Sequence, residues 1–311
     1  MALLAAQLPV APFVLCKAIL ETSPDVVHIV FPHPYASCAG LYLRRRTPVI
    51  LDRHDVTAHP GEDGILRRLF DTVELFVPNG LIVHGLRMEL LVAAHLSGRK
   101  IPVYVIPHGD LSFISQGGAV SLKPSDASCV LFFGRIQTYK GLDVLLRAIP
   151  MVLGALPDAH FVIAGEGDWT PYTSLIDKIP SQNLTLIREF VSESDTASIF
   201  ERASLVVLPY REASQSGVIP FAAAFRRAII ATRVGSLPEA VRDGESGILV
   251  EPEDPAGLAQ AIVCLLKDKA KRQAMADALH NDYLTKFSFG SLRENYIDCY
   301  RSMIELHASG R

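Results

Sequence analysis

The sequence is poor in the features that mark several common classes of protein. It has five cysteines in 311 residues, scattered and without a CxxC pair. This pattern argues against a disulfide framework or a cysteine zinc site and favours reduced thiols in the cytosol. The net charge is only −3, which gives no indication of a nucleic-acid partner. No apolar run approaches the length of a membrane span, and nothing indicates an oligomeric state.

The sequence is rich in what a globular protein needs, because 49% of its residues are hydrophobic and 20% are charged. Its length is sufficient for two domains of ordinary size. The apolar residues 1–20 resemble a signal peptide, but they lack a basic start and contain Pro9 and Pro12. We therefore predict a helix packed on a sheet in this region.

The most informative stretch is residues 130–141, with the sequence VLFFGRIQTYKG. Four apolar residues that end at Gly134 are typical of a buried parallel strand, and apolar residues at helical spacing follow Gly141. A strand, a glycine turn with Arg135 and Lys140, and a helix together indicate an anion site at the edge of an α/β sheet. From these residues alone, two solvated cations in an ordinary loop are an equal alternative.

Strands and helices alternate on both sides of this stretch, which predicts doubly wound α/β domains. Four early segments are predicted strands. The first, 25–31, ends in a Pro-His-Pro loop with His33, and the other three lead to His54, His84 and His108. Because ligands bind at the carboxyl ends of parallel strands, these histidines are predicted to line a cleft wall. The alternative is that each is an ordinary hydrogen-bonded histidine. Later predicted strands lie within residues 160–167, 184–187, 205–210 and 228–232, and the glycine-rich residues 116–125 indicate a linker.

The run FGR-x4-KG before an amphipathic helix resembles the donor-phosphate signature of the retaining family-4 glycosyltransferases, which have the GT-B fold. Six further stretches resemble the same family: 25–28 (DVVH), 54–62 (HDVTAHPGE), 83–85 (VHG), 106–109 (IPHG), 164–167 (AGEG) and 234–239 (VGSLPE). The resemblance implies two Rossmann-like doubly wound domains that face each other across a cleft. It assigns residues 1–118 to a truncated acceptor-side domain, 119–290 to a nucleotide-sugar domain, and 291–311 to a helix that returns to the first domain.

The resemblance also implies a reaction, namely sugar transfer from a nucleotide diphosphate-sugar to a glycan or lipid-linked acceptor with retention of configuration. Arg135 and Lys140 would bind the diphosphate, and His54 would lie beside the reacting carbon. The other implied residues are Gly134, Glu212, Ser216, Gly217 and Val218 at the donor and His84, His108 and Gly109 in the cleft. The departing phosphate takes the acceptor's proton, so no general base, cofactor or metal is expected. The absence of an Asp-x-Asp motif agrees with this expectation.

The chain departs from the family in two places. The family's Glu-x7-Glu signature falls on Ala213 and Phe221, which puts ribose recognition in doubt, although Glu212 stands one place early and could substitute. A branch of the family that reads Ser/Thr-Gln-Ser-Gly-Val-Ile-Pro here also lacks the second glutamate. Compared with the family, a first βαβ unit is also expected to be missing from the sequence. We expect a fragment or a misplaced start, and a natural truncation is the alternative.

Several smaller features complete the expectations. Arg226 and Arg227 are interpreted as a solvated helix end rather than a phosphate contact. Residues 44–46 are likewise interpreted as a solvated helix end rather than a membrane-surface patch. Asp195 and Asp254 are predicted to cap helices. The expected location is cytoplasmic, with peripheral contact to the inner face of the membrane as an option. The rival functions are a non-catalytic GT-B nucleotide-sugar-binding or partner subunit and, third, an epimerase or phosphorylase.

Overall fold

The computed structural model describes residues 10–31, 33–54, 74, 76–96, 99–109 and 128–310. The chain divides into two compact units, after Pro107 and again after Phe289, so that residues 290–311 belong to the first unit. The predicted linker, the predicted boundary at 118 and residues 55–62 of the histidine motif lie outside the described residues.

The first unit contains a parallel sheet in which the described strands follow chain order. These strands are β1 (Val27–Ile29), β2 (Val49–Arg53), β3 (Gly80–Val83) and β4 (Val103–Val105). The described helices that belong to it are α1 (Ala11–Glu21), α2 (Pro34–Leu43), α3 (Leu86–His95) and, from Gly290 onward, α11 (Phe289–Ser309). Cys299 and Met303 of α11 share one apolar cluster with Ile50 and Ile82, so the terminal helix covers a face of this sheet.

The second unit is a six-stranded parallel sheet. Its strands are β5 (Cys129–Phe133), β6 (His160–Ala164), β7 (Leu184–Ile187), β8 (Leu205–Leu208), β9 (Ala228–Thr232) and β10 (Ile248–Val250). Its helices are α4 (Leu142–Ala155), α5 (Thr173–Ile176), α6 (Glu193–Arg202), α7 (Val218–Ala224), α8 (Leu237–Ala240), α9 (Pro255–Lys267) and α10 (Lys269–Lys286). Short 3-10 turns occupy Thr138–Lys140, Thr170–Tyr172 and Ser181–Asn183. The strands are mostly apolar because helices cover both faces of the sheet.

The order of these six strands is β10-β9-β8-β5-β6-β7, and it reverses direction between β5 and β8. From β5 the chain crosses through α4 to β6 on one side, and from β8 it crosses through α7 to β9 on the other. The loops that leave β5 and β8 therefore diverge and open a crevice at the carboxyl edge of the sheet. Such a switch point is where open α/β sheets bind ligands.

Most of these elements were predicted from the sequence. Three predictions about helix ends can be compared with the structure. Asp254 caps α9 as predicted, because its Oδ1 accepts hydrogen bonds from Ala256 N and Gly257 N at 3.1 and 3.0 Å. The cap predicted at Asp195 is wrong, because α6 begins earlier and Ser192 Oγ accepts from Asp195 N at 3.2 Å.

The solvated helix end predicted at Arg226 and Arg227 is also wrong, because the Arg227 side chain is only 1% exposed. Its guanidinium donates to the carbonyls of Phe200 and Glu201 at 2.8 and 3.1 Å. Burial lowers the pKa of Arg227 to about 10. This arginine therefore caps the end of α6 from inside the protein and has a structural role.

Among the described residues, no helix combines the length and the apolar character that crossing a membrane requires.

Candidate functional site

The turn after β5 brings two cations to the switch point. Gly134 adopts a φ of 113°, which favours glycine. A Cβ on this residue would lie 2.6 Å from Lys140 Nζ, so the glycine leaves the space that the ammonium occupies. Arg135 is exposed, whereas Lys140 is half-buried. Within the described part of the chain, neither side chain forms an ion pair.

Lys140 is held in an unusual electrostatic environment. Burial, followed by the nearby charge of Arg135, lowers the pKa of Lys140 to about 8. Its Nζ lies 5.5 Å from the ring centroid of Tyr210, which gives a cation–π contact from the neighbouring loop. The protein therefore places a partly desolvated ammonium next to a guanidinium without a described carboxylate to neutralise them. This arrangement favours an anion, and a diphosphate offers enough oxygen atoms for both groups.

Arg211 braces the two loops, and the sequence reasoning did not identify it. Its Nη1 and Nη2 bind both carboxylate oxygens of Asp143 at 2.8 and 2.9 Å, and Nη1 also donates to Thr138 O at 2.8 Å. Its backbone N donates to Tyr139 O at 2.7 Å. Arg211 also pairs with Glu253. Because Asp143 and Glu253 neutralise it, Arg211 holds the lysine turn in place and is not a third free cation.

The loop after β8 carries the remaining predicted donor residues. Ser216 Oγ accepts a hydrogen bond from Val218 N at 3.3 Å and lies 3.4 Å from the hydroxyl of Tyr210. Gly217 precedes α7 in an ordinary helical conformation, and a Cβ placed on it would meet no atom within 4 Å. The loop therefore leaves open space at the start of α7. Glu212 is exposed.

The two positions of the absent glutamates contain small or aromatic residues. Ala213 is buried at 6% exposure, and its carbonyl accepts a hydrogen bond from Ser236 N at 3.3 Å. The ring of Phe221 stacks on Phe200 with centroids 5.5 Å apart and lies 6.4 Å from Phe133. The site of the second glutamate is therefore part of an apolar cluster.

In the first unit, His28 lies in β1, and His54 and His84 directly follow the neighbouring strands β2 and β3. His54 Nε2 donates to Val30 O at 3.0 Å, and its ring stacks on Phe31 with centroids 5.1 Å apart. His84 Nδ1 donates to Ile106 O at 2.8 Å, and its ring lies 4.8 Å from that of His54. Burial lowers the pKa of His84, which keeps its imidazole neutral at physiological pH.

Asp52 connects two of these histidines from a buried position. Its Oδ1 lies 2.8 Å from His28 Nε2, and its Oδ2 lies 4.0 Å from His84 Nε2. The other nitrogen of His28, Nδ1, is 2.9 Å from the hydroxyl of Tyr300 on α11. Asp52, His28 and Tyr300 are therefore joined by close polar contacts within the first unit.

His108 and Gly109 begin the second unit. A Cβ on Gly109 would lie 3.1 Å from the ring of Phe289 in the same unit. This close contact gives the glycine a packing role, whatever else it does.

Comparison with known proteins identifies the class to which the second unit belongs. Residues 127–268 match the family model described as "Glycosyl transferases group 1". This segment, which contains Arg135, Lys140 and Ser216, is therefore a glycosyl transferases group 1 domain. The predicted resemblance to family-4 glycosyltransferases is confirmed.

The relatives with assigned names include D-inositol 3-phosphate glycosyltransferases. The protein from Corynebacterium kroppenstedtii is 30% identical over 217 residues, which cover 64% of this chain and 48% of the relative. The protein from Mycobacterium ulcerans is 30% identical over 236 residues, which cover 72% of this chain and 50% of the relative. The chain thus spans about half the length of these relatives.

Solved structures confirm the predicted fold. Sucrose-phosphate synthase from Thermosynechococcus elongatus superposes with a TM-score of 0.73 at 17% identity, covering 94% of this chain and 78% of that one. The Anabaena protein Alr3699/HepE, solved with UDP-glucose, gives a TM-score of 0.73 at 18% identity, covering 93% and 82%. These neighbours are GT-B glycosyltransferases, and the present chain has the GT-B fold.

Proposed function

We propose that this protein transfers a sugar from a nucleotide diphosphate-sugar to a hydroxyl group of a glycan or lipid-linked acceptor, with retention of configuration. One observation carries the proposal, namely that Arg135 and Lys140 lie together at the switch point without a described counter-ion. The domain match supports it. The binding of UDP-glucose named for the Anabaena neighbour supports it further.

In the proposed reaction, the bond between the anomeric carbon and the diphosphate oxygen breaks, and a bond from that carbon to the acceptor oxygen forms on the same face. Arg135 and Lys140 stabilise the negative charge that develops on the leaving diphosphate. The departing phosphate oxygen takes the acceptor's proton, so no side chain has to act as a base. The family resemblance assigns His54 to the neighbourhood of the anomeric centre, where a hydrogen bond would stabilise positive charge.

The two donor cations have different tasks in this scheme. The Arg135 guanidinium can bind two phosphate oxygens at once, whereas the Lys140 ammonium acts as a point charge. Without an anion, the pKa of Lys140 is about 8. A bound diphosphate raises this pKa and keeps Lys140 protonated. Substrate binding therefore maintains the positive charge on Lys140 that stabilises the leaving diphosphate. Helix α7 has only seven residues, and we assign its N-terminus a minor part.

A second candidate function is that of a GT-B protein that binds a nucleotide-sugar without transferring it. The observation that favours it is the replacement of both signature glutamates, since Ala213 and Phe221 present no carboxylate. In this case the phosphate site would still bind nucleotide. Binding measurements alone therefore test the donor site, and turnover separates the two candidates.

The first experiment is calorimetric titration with UDP, GDP and ADP of the wild type and of an Arg135→Ala/Lys140→Ala variant. We expect one nucleotide to bind and the double variant to lose that binding. The matched control is Lys178→Ala/Arg202→Ala, which removes the same charge from exposed positions that precede strands β7 and β8. The control should bind normally, because these positions lie before the amino ends of the strands. If none of the three nucleotides binds the wild type, the proposal fails.

Assays with the corresponding nucleotide-sugars then test transfer and its stereochemistry. The product's anomeric configuration, read from NMR coupling constants, should match that of the donor. The names of the relatives add a phosphorylated inositol to the acceptors worth testing. A cytoplasmic location with peripheral membrane contact stays part of the proposal, and fractionation of cells tests it.

A further inference from the structure

Two neutral polar atoms in the loops beside the phosphate site are buried without a partner. They are Oε1 of Gln215, in the loop after β8, and Oγ of Ser236, in the loop after β9. Within the part of the chain that the structure describes, neither atom has a hydrogen bond. Ser236 as a whole is only 6% exposed. Buried polar atoms in folded proteins nearly always have a partner, so two exceptions in adjacent loops need a cause.

Hydrogen bonds and side-chain contacts connect these two loops to the phosphate site. Ser236 N donates to Ala213 O at 3.3 Å, which joins the β9 loop to the β8 loop two residues before Gln215. Ser216, the next residue after Gln215, lies 3.4 Å from the hydroxyl of Tyr210, and the Tyr210 ring contacts Lys140. A continuous series of contacts thus connects both unpaired atoms to the cation that is proposed to bind the diphosphate.

The chemistry of these atoms selects the part of a ligand that they can bind. The amide oxygen of Gln215 only accepts hydrogen bonds, so it would repel a phosphate oxygen but can receive the proton of a hydroxyl group. The hydroxyl of Ser236 both donates and accepts. A pair of this kind fits a neutral group with several hydroxyls. The diphosphate, in contrast, has Arg135 and Lys140 close by to neutralise its charge.

The apolar replacements at the signature positions point to the same ligand group. With Ala213 and Phe221 in place, no carboxylate stands at either position to bind sugar hydroxyls. Glu212 is exposed, whereas the two unpaired atoms are buried within the loops. Hydroxyl recognition at this site therefore falls to neutral side chains.

We propose that Gln215 and Ser236 bind hydroxyl groups of the sugar portion of the ligand, either the ribose of the nucleotide or the sugar to be transferred. This inference rests on the proposed function, because it assumes that a nucleotide diphosphate-sugar occupies the crevice. It assigns to two neutral residues the recognition of hydroxyls at a site that has no carboxylate at its signature positions.

The test compares three ligands by calorimetry, namely inorganic pyrophosphate, UDP and UDP-glucose. If the nucleotide screen selects another base, the GDP or ADP counterparts replace the last two. The variants are Gln215→Leu and Ser236→Ala, with Ser214→Ala as the control from the same loop. Denaturant unfolding followed by fluorescence of the single tryptophan, Trp169, verifies that each variant is folded.

We expect Gln215→Leu and Ser236→Ala each to weaken sugar-containing ligands about tenfold, which is the effect of losing one neutral hydrogen bond. Binding of pyrophosphate should not change. A loss already present with UDP assigns the pair to ribose, whereas a loss seen only with UDP-glucose assigns it to the transferred sugar. The Ser214→Ala control should match the wild type for all three ligands.

Two outcomes would overturn the inference. In one, both variants bind UDP and UDP-glucose as the wild type does. In the other, pyrophosphate binding weakens as much as that of the sugar-containing ligands, which would mean that the side chains only support the loops. Failure of the proposed function looks different, because the wild type itself would then bind no nucleotide.

Discussion

The carboxyl edges of the two sheets differ in whether their charged groups have partners. In the first unit, the buried Asp52 pairs with His28 at 2.8 Å, and His28 also contacts the hydroxyl of Tyr300 at 2.9 Å. In the second unit, Arg135 and Lys140 lie at the switch point with no described ion-pair partner. The buried carboxylate of the first edge has a hydrogen-bond partner within its own unit, whereas the two cations of the second edge have no described ion-pair partner.

This difference indicates which edge depends on a ligand for its charge balance. A buried carboxylate that is hydrogen-bonded within its own unit needs no ligand to satisfy it. In the second unit, burial and then the nearby charge of Arg135 lower the pKa of Lys140, and neither cation has a described ion-pair partner. Both cations gain most when an anion arrives. We therefore expect changes to Arg135 and Lys140 to alter nucleotide binding, and changes to the buried Asp52 to alter stability without altering nucleotide binding.

The largest effect is expected from Gly141→Ala, which would separate the two loops of the second edge. Gly141 has a φ of 66°, and an added Cβ would lie 1.9 Å from Pro209 O. We expect the free energy of unfolding to fall by about 3 kcal/mol, because the backbone has to move and the left-handed conformation is strained. Nucleotide affinity should fall as well, because Lys140 is the neighbouring residue.

The control for this change is Gly154→Ala in the following helix, α4, where an added Cβ meets no atom within 4 Å. It should raise stability by about 0.5–1 kcal/mol, because alanine favours a helix more than glycine does. Denaturant unfolding followed by Trp169 fluorescence measures both variants. Equal unfolding midpoints for Gly141→Ala and the wild type would contradict the account.

An intermediate effect is expected from Arg211→Met, which removes the brace but neither phosphate-binding cation. The change leaves Asp143 without its bidentate partner and Thr138 O without a donor. We expect a loss of about 2 kcal/mol in stability, since hydrogen bonds to charged groups contribute about 1.5–3 kcal/mol each and solvent replaces part of them. Nucleotide affinity should fall about tenfold as the lysine turn loosens.

Titration calorimetry and unfolding measurements test this prediction together. The matched control is Arg147→Ala, because Arg147 pairs with the same Asp143 at 2.9 Å from a half-exposed position. Its loss should change stability by less than about 0.5 kcal/mol. If Arg211→Met binds nucleotide as tightly as the wild type, the brace does not position the site.

A smaller effect, confined to the first unit, is expected from Asp52→Ala. It leaves His28 without its carboxylate partner in a partly buried position, which should cost about 1 kcal/mol of local stability. UDP affinity should not change, because the charges proposed to bind the diphosphate lie in the other unit. This pattern would sharpen the contrast between the two edges.

Amide hydrogen exchange resolves where the loss occurs. Peptides that contain β1 and β2 should exchange faster in Asp52→Ala, whereas peptides that contain β5 and β6 should not. The exposed Asp25→Ala serves as the control and should leave exchange unchanged. A fall in UDP affinity in Asp52→Ala would contradict the proposed difference between the carboxyl edges of the two units.

The sequence predicted the second unit well because its strands are mostly apolar and mostly buried. Strands β7 and β9 have the predicted bounds, and Arg135 lies close enough to Lys140 to lower its pKa. The sequence could not reveal the brace, because Arg211 and Asp143 are 68 residues apart. The sequence also predicted that Arg227 lies in solvent. Residue type alone does not show that the carbonyls of Phe200 and Glu201 accept its hydrogen bonds inside the fold.

The most direct test of the account is a measurement of proton uptake when UDP, or the nucleotide that the screen selects, binds near pH 8. In the free protein the pKa of Lys140 is about 8, and pairing with a diphosphate raises it. Binding at this pH should therefore take up part of a proton, and affinity should fall as the pH rises through about 8. Calorimetry in two buffers with different heats of ionisation gives the number of protons. The account predicts uptake by the wild type and none by Lys140→Arg, which stays charged and should still bind. No uptake by the wild type, or equal uptake by both proteins, would contradict it.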